Sequence, residues 1–425
     1  MLREAVTRVQ SAQRELAGLT SEQKNRILQQ ISLQLQRSRD RIAEAQQKDI
    51  SQAEREGLSP PLLKRLVLND EKIDTLCRGT EDLQRLADPV GTVLSARELD
   101  QGLELYQITC PIGVIGMVFE SRPDALVQIA SLCLKSGNGV VLKGGREALE
   151  TNRVLTDCIK EASRACGITD QWLCLLETRD EVTGMLELDD LIDLIIPRGS
   201  NSFVQYIMDH TRIPVLGHAD GICHVYIDED ADIIKAISVT LDAKTQYPAV
   251  CNACETLLVH RNIAEKILEP LAESLREAGV ELRGDEGIRQ HVACKAAVSE
   301  DWSTEYLDLI LSAKVVDSMD EAISHIHTYG SGHTDCIVTE NREQAEAFLH
   351  RVDSAGVFWN CSTRFADGYR YGLGAEVGIS TRKVHARGPV GLEGLVTYKW
   401  KLYGSGHIAA DYSGDNPKQF THREL

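Results

Sequence analysis

Cys251 stands in the run Gln246-Tyr247-Pro248-Ala249-Val250-Cys251-Asn252-Ala253-Cys254-Glu255-Thr256-Leu257-Leu258-Val259. A proline-containing loop precedes it and an apolar stretch follows that reads as a buried strand. A sulfur fixed on one side and open on the other is the nucleophile that acyl transfer needs, and its product is a thioester. The competing reading is packing, because most cysteines are small core residues and this chain has twelve. Cys251 and Cys254 also match C-x-x-C. A redox pair places both sulfurs on a helical turn after a strand, whereas here a strand follows. A zinc site needs a second pair of ligands at similar spacing, and none stands out. Cys254 is therefore expected in the core, with no metal.

Two strand ends have the makings of anion cradles. One is Val140-Val141-Leu142-Lys143-Gly144-Gly145-Arg146-Glu147-Ala148; the other is Ile195-Ile196-Pro197-Arg198-Gly199-Ser200-Asn201. Small residues let backbone amides and a helix N-terminus approach a phosphate. The G-x-G-x-x-G dinucleotide fingerprint does not follow any strand. Lys143, Arg146 and Arg198 make the two turns together a nucleotide-sized anion site. Glu120-Ser121-Arg122-Pro123 closes another apolar strand, where a charged pair serves either a surface ion pair or substrate recognition. Three polar loops, Gly330 to Asp335, Arg364 to Gly368 and Gly372 to Glu376, have the chemistry of site linings and equally of ordinary turns. His333 fits either a pocket or a structural role.

The elements that would carry these residues follow from periodicity. Up to about residue 90 the pattern is helical. Thr20 to Gln23 forms a capping box, Ile27, Ile31 and Leu35 make one stripe, Ser59-Pro60 reads as a cap with proline at N1, and Asn69 caps a further helix. A hairpin is expected around Gln101-Gly102. Strands are expected at 113–119, 140–143 and 191–196, with helices at 125–134 and 148–165 between them. Such alternation implies parallel strands joined by crossover helices. Later come a strand at 256–259, a helix at 263–278, and short strands at 337–338 and 357–359. The tail after Trp400 is rich in Gly, Ser and charge and reads as mobile.

At 425 residues the chain can bury two or three domains without disulfides. A net charge of −18 excludes binding nucleic acid over its whole surface, though not anionic substrates in a local pocket. No apolar run reaches a membrane span, and the charged start from Arg3 has no apolar signal region. A soluble cytoplasmic protein with free thiols is expected.

Taken together these segments resemble the γ-glutamyl phosphate reductases of the aldehyde dehydrogenase superfamily. They are equally similar to the reductase half of bifunctional pyrroline-carboxylate synthases. The likeness is sharpest at Tyr247–His260, Pro111–Pro123, Gly330–Glu340 and Asn360–Tyr398, the last containing Gly374-Ala375-Glu376-Val377-Gly378 and His385-Ala386-Arg387-Gly388-Pro389. With no kinase segment in the chain, a stand-alone reductase is expected. The resemblance implies an α/β, aldehyde dehydrogenase-like fold: two parallel-sheet α/β domains plus an oligomerisation β-flap. Residues 1–89 and 110–245 would bind the cofactor, 246–390 would be catalytic, and 90–109 with 391–425 would form flap and tail. It implies NADPH-dependent reduction of L-glutamyl 5-phosphate to L-glutamate 5-semialdehyde in proline biosynthesis. Cys251 would be the nucleophile. Lys143, Gly199, Ser200 and Glu305 would bind the cofactor. Arg146 stands where NAD-preferring members place a glutamate, which favours NADP. Arg122, Asn252 and Arg364 are the expected substrate contacts. A homo-oligomer is implied, and the glutamate 5-kinase that makes the acyl phosphate is a candidate partner.

Departures from general aldehyde dehydrogenases sharpen the expectation. The segment that carries their water-activating glutamate reads Val215-Leu216-Gly217-His218 here, and valine is no base. Their oxyanion asparagine is matched by Ser121, leaving the Cys251 amide as a candidate donor. Three alternatives stay open: an oxidative aldehyde dehydrogenase, a thiol acyltransferase without nicotinamide, and a non-catalytic paralogue acting as a binding protein.

Overall fold

The computed structural model describes residues 1–120, 122–217 and 220–425. Five helices come first: α1 (Leu2–Leu16), α2 (Ser21–Arg37), α3 (Arg39–Arg55), α4 (Pro60–Leu66) and α5 (Asp70–Arg85). Thr20 and Gln23 form the reciprocal capping box, and Asn69 accepts from the Lys72 amide. Ser59 precedes α4 but makes no side-chain cap bond. Ile27, Leu28, Ile31 and Leu35 of α2 are fully buried in the first core.

The expected hairpin is β1 (Val93–Asp100) and β2 (Leu103–Pro111), turning at Gly102 with φ +72°. Next comes a parallel sheet of β3 (Val114–Phe119), β4 (Gly139–Lys143), β5 (Leu173–Leu176) and β6 (Leu194–Arg198), in spatial order β5-β4-β3-β6. Helices α6 (Pro123–Lys135), α7 (Leu149–Ala165), α8 (Arg179–Leu186) and α9 (Asn201–Asp209) complete the unit. The chain steps from β3 through β4 to β5 and then returns to the other side of β3. The crevice between the ends of β3 and β6 is thus a topological switch point, where ligands of such sheets bind. β6 begins at Leu194, three residues later than the periodicity suggested.

The second sheet holds seven parallel strands: β7 (Cys223–Ile227), β8 (Cys254–His260), β9 (Glu281–Gly284), β10 (Lys295–Ala296), β11 (Ile310–Val316), β12 (Thr334–Val338) and β13 (Gly356–Trp359). Their order is β10-β9-β11-β8-β7-β12-β13, with α10 (Ile233–Thr245) and α11 (Arg261–Glu277) packed against it. Residues 223–227, grouped above with the cofactor unit, pair within this sheet, and α10 packs in its core. The chain then returns to the first core. β14 (Gly378–Ser380) pairs with β15 (Gly388–Val390), and Val377, Val390, Leu392 and Leu395 join the first cluster.

β16 (Val396–Tyr403) and β17 (Arg423–Glu424) complete a four-stranded antiparallel sheet with the hairpin, in order β16-β2-β1-β17. The tail, read from composition as mobile, docks instead. Arg423 pairs with Glu98 at 2.8 Å, Tyr412 donates to Asp100 at 2.7 Å, and the Tyr412 and Phe420 rings stack.

Candidate active site

Cys251 sits three residues before β8, at the edge of the second sheet where its strands begin. Gly221, two residues before β7, lies directly against it. A Cβ built on Gly221 would fall 2.2 Å from the Cys251 carbonyl oxygen and 2.4 Å from its Cα. Only glycine permits that approach. The Cys223 thiol donates to the same carbonyl at 3.3 Å. Cys251 is half-buried, while Cys254 is fully buried at the start of β8. The C-x-x-C spacing thus splits into one accessible sulfur and one core sulfur.

Charges of both signs surround the thiol. Burial first, then Glu305 and Glu376, push it up to about 12, opposed by its own amide and by Arg364. Arg364 is buried, and its Nε donates to Gln246 Oε1 at 2.9 Å. Arg198, the last residue of β6, reaches Glu376 by two long contacts: 3.4 Å to the carbonyl and 3.7 Å to Oε1. Burial holds both guanidiniums below their usual range, with Glu376 opposing the shift at Arg198. Arg122 is more than half exposed and pairs with Asp124 at 3.3 Å. Glu120 looks elsewhere, accepting from the Ser200 amide at 3.3 Å.

Asn252 has a tying role in this structure. Its Nδ2 donates to Ala366 O at 2.8 Å, and its carbonyl accepts from Thr363 Oγ1 at 2.7 Å. It therefore holds the turn carrying Arg364. Its buried Oδ1 has no partner among the described residues. His333 is buried, with Nδ1 2.9 Å from Thr334 Oγ1. Ser121 and His218 lie outside the described residues. Val215 bridges to Ile195 and packs its side chain against the apolar cluster beneath β6.

The segment after β6 of the first sheet reaches residues just ahead of strands of the second, Asp220 before β7 and Glu305 before β11. Asn201, the first residue of α9, donates to Glu305 Oε2 at 2.7 Å. Behind Glu305 lies a fully buried ion pair, Lys244 Nζ to Glu255 Oε2 at 2.6 Å. Glu255 also accepts from the Leu307 amide at 3.4 Å, where Leu307 adopts φ +54°. The pair thus fixes the Glu305 loop from inside. Neither member carries a signal in the sequence beyond following Cys254 or ending a helix.

The first sheet's strand ends carry tightly packed glycines and a buried lysine. Gly199 passes so close to Glu120 that a Cβ would lie 2.9 Å from its carboxyl carbon, and on Gly144 a Cβ would meet Asn152 Nδ2 at 2.2 Å. Ser200 does not cap α9 with its side chain; Glu120 accepts from the Ser200 amide, and the Phe203 amide donates to the Ser200 carbonyl. Lys143 is buried at the end of β4. Arg146 points to solvent, 75% exposed, and pairs with Glu56 at 2.6 Å.

Comparison with known proteins places these features in context. The model of the aldehyde dehydrogenase family matches residues 1–300. The γ-glutamyl phosphate reductase of Pelotomaculum thermopropionicum is 58% identical over 424 residues, covering 100% of this chain and 98% of that protein. The crystal structure of the Thermotoga maritima γ-glutamyl phosphate reductase superposes with a TM-score of 0.94 at 42% identity, covering 96% of this chain and 99% of that one. An acetylating aldehyde dehydrogenase from Geobacillus thermoglucosidasius shares the fold, with a TM-score of 0.64 at 17% identity, covering 96% and 97%.

Proposed function

Because this chain belongs to the aldehyde dehydrogenase family, in its γ-glutamyl phosphate reductase branch, we propose that it reduces L-glutamyl 5-phosphate with NADPH through a thioester on Cys251. The branch supplies glutamate 5-semialdehyde to proline biosynthesis. The Cys251 thiolate attacks the acyl carbon. A C–S bond forms, the C–O bond to phosphate breaks, and its electron pair leaves with phosphate. A nicotinamide dinucleotide, when bound, supplies the hydride that reduces the thioester carbon. Scission of the C–S bond then frees the semialdehyde and returns the thiolate.

The chain's residues have distinct parts in this scheme. Gly199, Ser200 and the first turn of α9 would hold the cofactor's pyrophosphate, with Lys143 on the adenosine side and Glu305 toward the thiol. Glu305 and Glu376 are the carboxylates whose charge bears most on Cys251, and both oppose its ionisation. Arg122 and Arg364 meet the substrate's phosphate or α-carboxylate.

The observation that supports this reading is a half-buried thiol acted on by one buried guanidinium, Arg364, and one part-buried one, Arg198, the latter directly before the Gly199-Ser200 turn. Val215 supports phosphate over water as the acyl acceptor: it packs in an apolar cluster and cannot activate a hydrolytic water. A homo-oligomer fits the exposed Tyr398, Trp400 and Leu402 on edge strand β16.

The test runs the reaction backwards. Protein, glutamate semialdehyde, NADP⁺ and phosphate should produce NADPH absorbance only when phosphate is present. Absence of a phosphate-dependent signal overturns the function. Full activity in Cys251→Ala would overturn the mechanism alone.

A further inference from the structure

Arg198 and Arg364 act electrostatically on the Cys251 thiol, with Arg122 beside the first and Arg370 beside the second, and the four guanidiniums are not equivalent. Arg122 is 56% exposed and has Asp124 at 3.3 Å. Arg370 is spent on the Arg364 carbonyl. Arg364 has its Nε on the neutral Gln246 and is wedged by the Asn252 turn. Arg364 is the most buried of the four, but Arg198 alone faces a carboxylate that it grips loosely: its side chain is 27% exposed, and its contacts to Glu376 are long and poorly matched to a five-donor fork. A largely buried guanidinium without a tight carboxylate is costly in isolation. The arrangement is one that an arriving anion would complete.

Position singles out the same residue. Arg198 ends β6 at the switch point, directly before the Gly199-Ser200 turn, and its charge bears on Cys251 across the sheet boundary. Glu376 is independently anchored, accepting from the Gly368 amide at 2.9 Å. It can therefore stay in place while Arg198 turns to a ligand. We infer that Arg198 recognises the phosphate of the acyl phosphate and sets the enzyme's preference for phosphate as leaving group, an inference that rests on the acyl phosphate reading above. As the C–O bond breaks, its electron pair moves onto the phosphate oxygen, which takes up the proton released when the Cys251 thiol ionised, and the Arg198 fork donates N–H bonds to the resulting hydrogen phosphate dianion. In the reverse direction the same fork holds phosphate for attack on the thioester, and the C–S electron pair returns to sulfur.

The experiment separates this inference from the function it rests on. In the reverse assay, wild-type protein must first show phosphate-dependent NADPH formation; failure there sinks the function itself. Arg198→Gln should then raise KM for phosphate about tenfold or more, with KM for semialdehyde and NADP⁺ changed less than about twofold. Arg198→Lys should recover part of the loss. An unchanged phosphate KM, or an equal rise in all three, overturns the inference. A second readout does not depend on hydride transfer or on turnover. Inorganic phosphate should protect Cys251 of the wild type from iodoacetamide, read by mass spectrometry of its peptide. Arg198→Lys should need several-fold more phosphate for equal protection; identical protection curves overturn the inference even if Arg198→Gln fails to fold.

Discussion

Asn201 Nδ2 lies 2.7 Å from Glu305 Oε2, and the same amide reaches Asp220 Oδ1 at 2.7 Å. One neutral side chain at the start of α9 thus gathers two carboxylates at the boundary of the sheets. It also couples the proposed dinucleotide cradle to the loop that the Lys244–Glu255 pair holds from behind. Asn201→Ala removes the donor and leaves Glu305 and Asp220 to repel each other. KM for NADPH should rise about tenfold, the worth of a hydrogen bond to a charged group, with kcat less affected. Steady-state kinetics at saturating acyl phosphate would show it. An unchanged KM would remove Glu305 from the cofactor site.

Gly221 makes a sharper prediction, because its constraint is space and not backbone angle. Alanine there would drive a methyl group into the Cys251 backbone, which has no flexible end to move aside. Gly221→Ala should cost about 1–3 kcal/mol of stability as overpacking and lower kcat by about a hundredfold through displacement of the nucleophile. Gly79 in α5 is the control, since a Cβ there meets nothing within 4 Å. Gly79→Ala should stabilise by up to about 1 kcal/mol as a helix-interior glycine. Urea denaturation and kcat on both variants decide the matter; wild-type kcat in Gly221→Ala would refute the packing argument.

The thiol itself has a pH signature. Burial, Glu305 and Glu376 push Cys251 up to about 12, so the neutral thiol dominates in the free enzyme well above neutrality. Only the thiolate reacts with iodoacetamide. Alkylation at the Cys251 peptide should therefore climb about tenfold per pH unit from pH 7 to pH 9 without levelling, as expected below a pKa. Glu305→Gln removes one of the raising charges and should speed alkylation at pH 8. A plateau below pH 9 would mean that neither burial nor the two carboxylates hold the thiol up.

Much of this could be read locally. Thr20, Asn69 and Gly102 announce their cap, cap and turn through side-chain chemistry and backbone freedom, and the strands before Lys143 and after Cys254 are short apolar runs. The strand at Cys223–Ile227 escaped because His224 and Tyr226 interrupt its apolar run. Both are fully buried, His224 through Asp335 at 2.8 Å and Tyr226 through Asp228 at 2.9 Å. The tail's composition suggested mobility, yet its order comes from Glu98 and Asp100, more than three hundred residues away in the chain. At the site, Cys251, Arg198 and Arg364 were visible as reactive or charged types. The approach of Gly221 to Cys251 arises only where β7 and β8 pair, and that of Glu376 to Arg198 only in the tertiary fold; no local pattern encodes either.

Cofactor choice is a like case, where the resemblance to NAD-preferring members had pointed to Arg146. Its guanidinium is engaged by Glu56 and mostly in solvent. Arg179, the first residue of α8, is exposed and makes no ion pair among the described residues. It follows β5 closely, and Leu176 of β5 is in register with Lys143. Its charge also bears on the Lys143 ammonium, held below its usual range mainly by burial. A 2′-phosphate beside Lys143 would thus find Arg179 uncommitted and Arg146 partly neutralised. Arg179→Ala should lower the kcat/KM ratio of NADPH over NADH about tenfold, Arg146→Ala by less than about threefold, and Glu56→Ala should raise it slightly by releasing Arg146. If Arg146→Ala proves the more damaging, the ion pair with Glu56 opens on binding and the sequence position was the better guide.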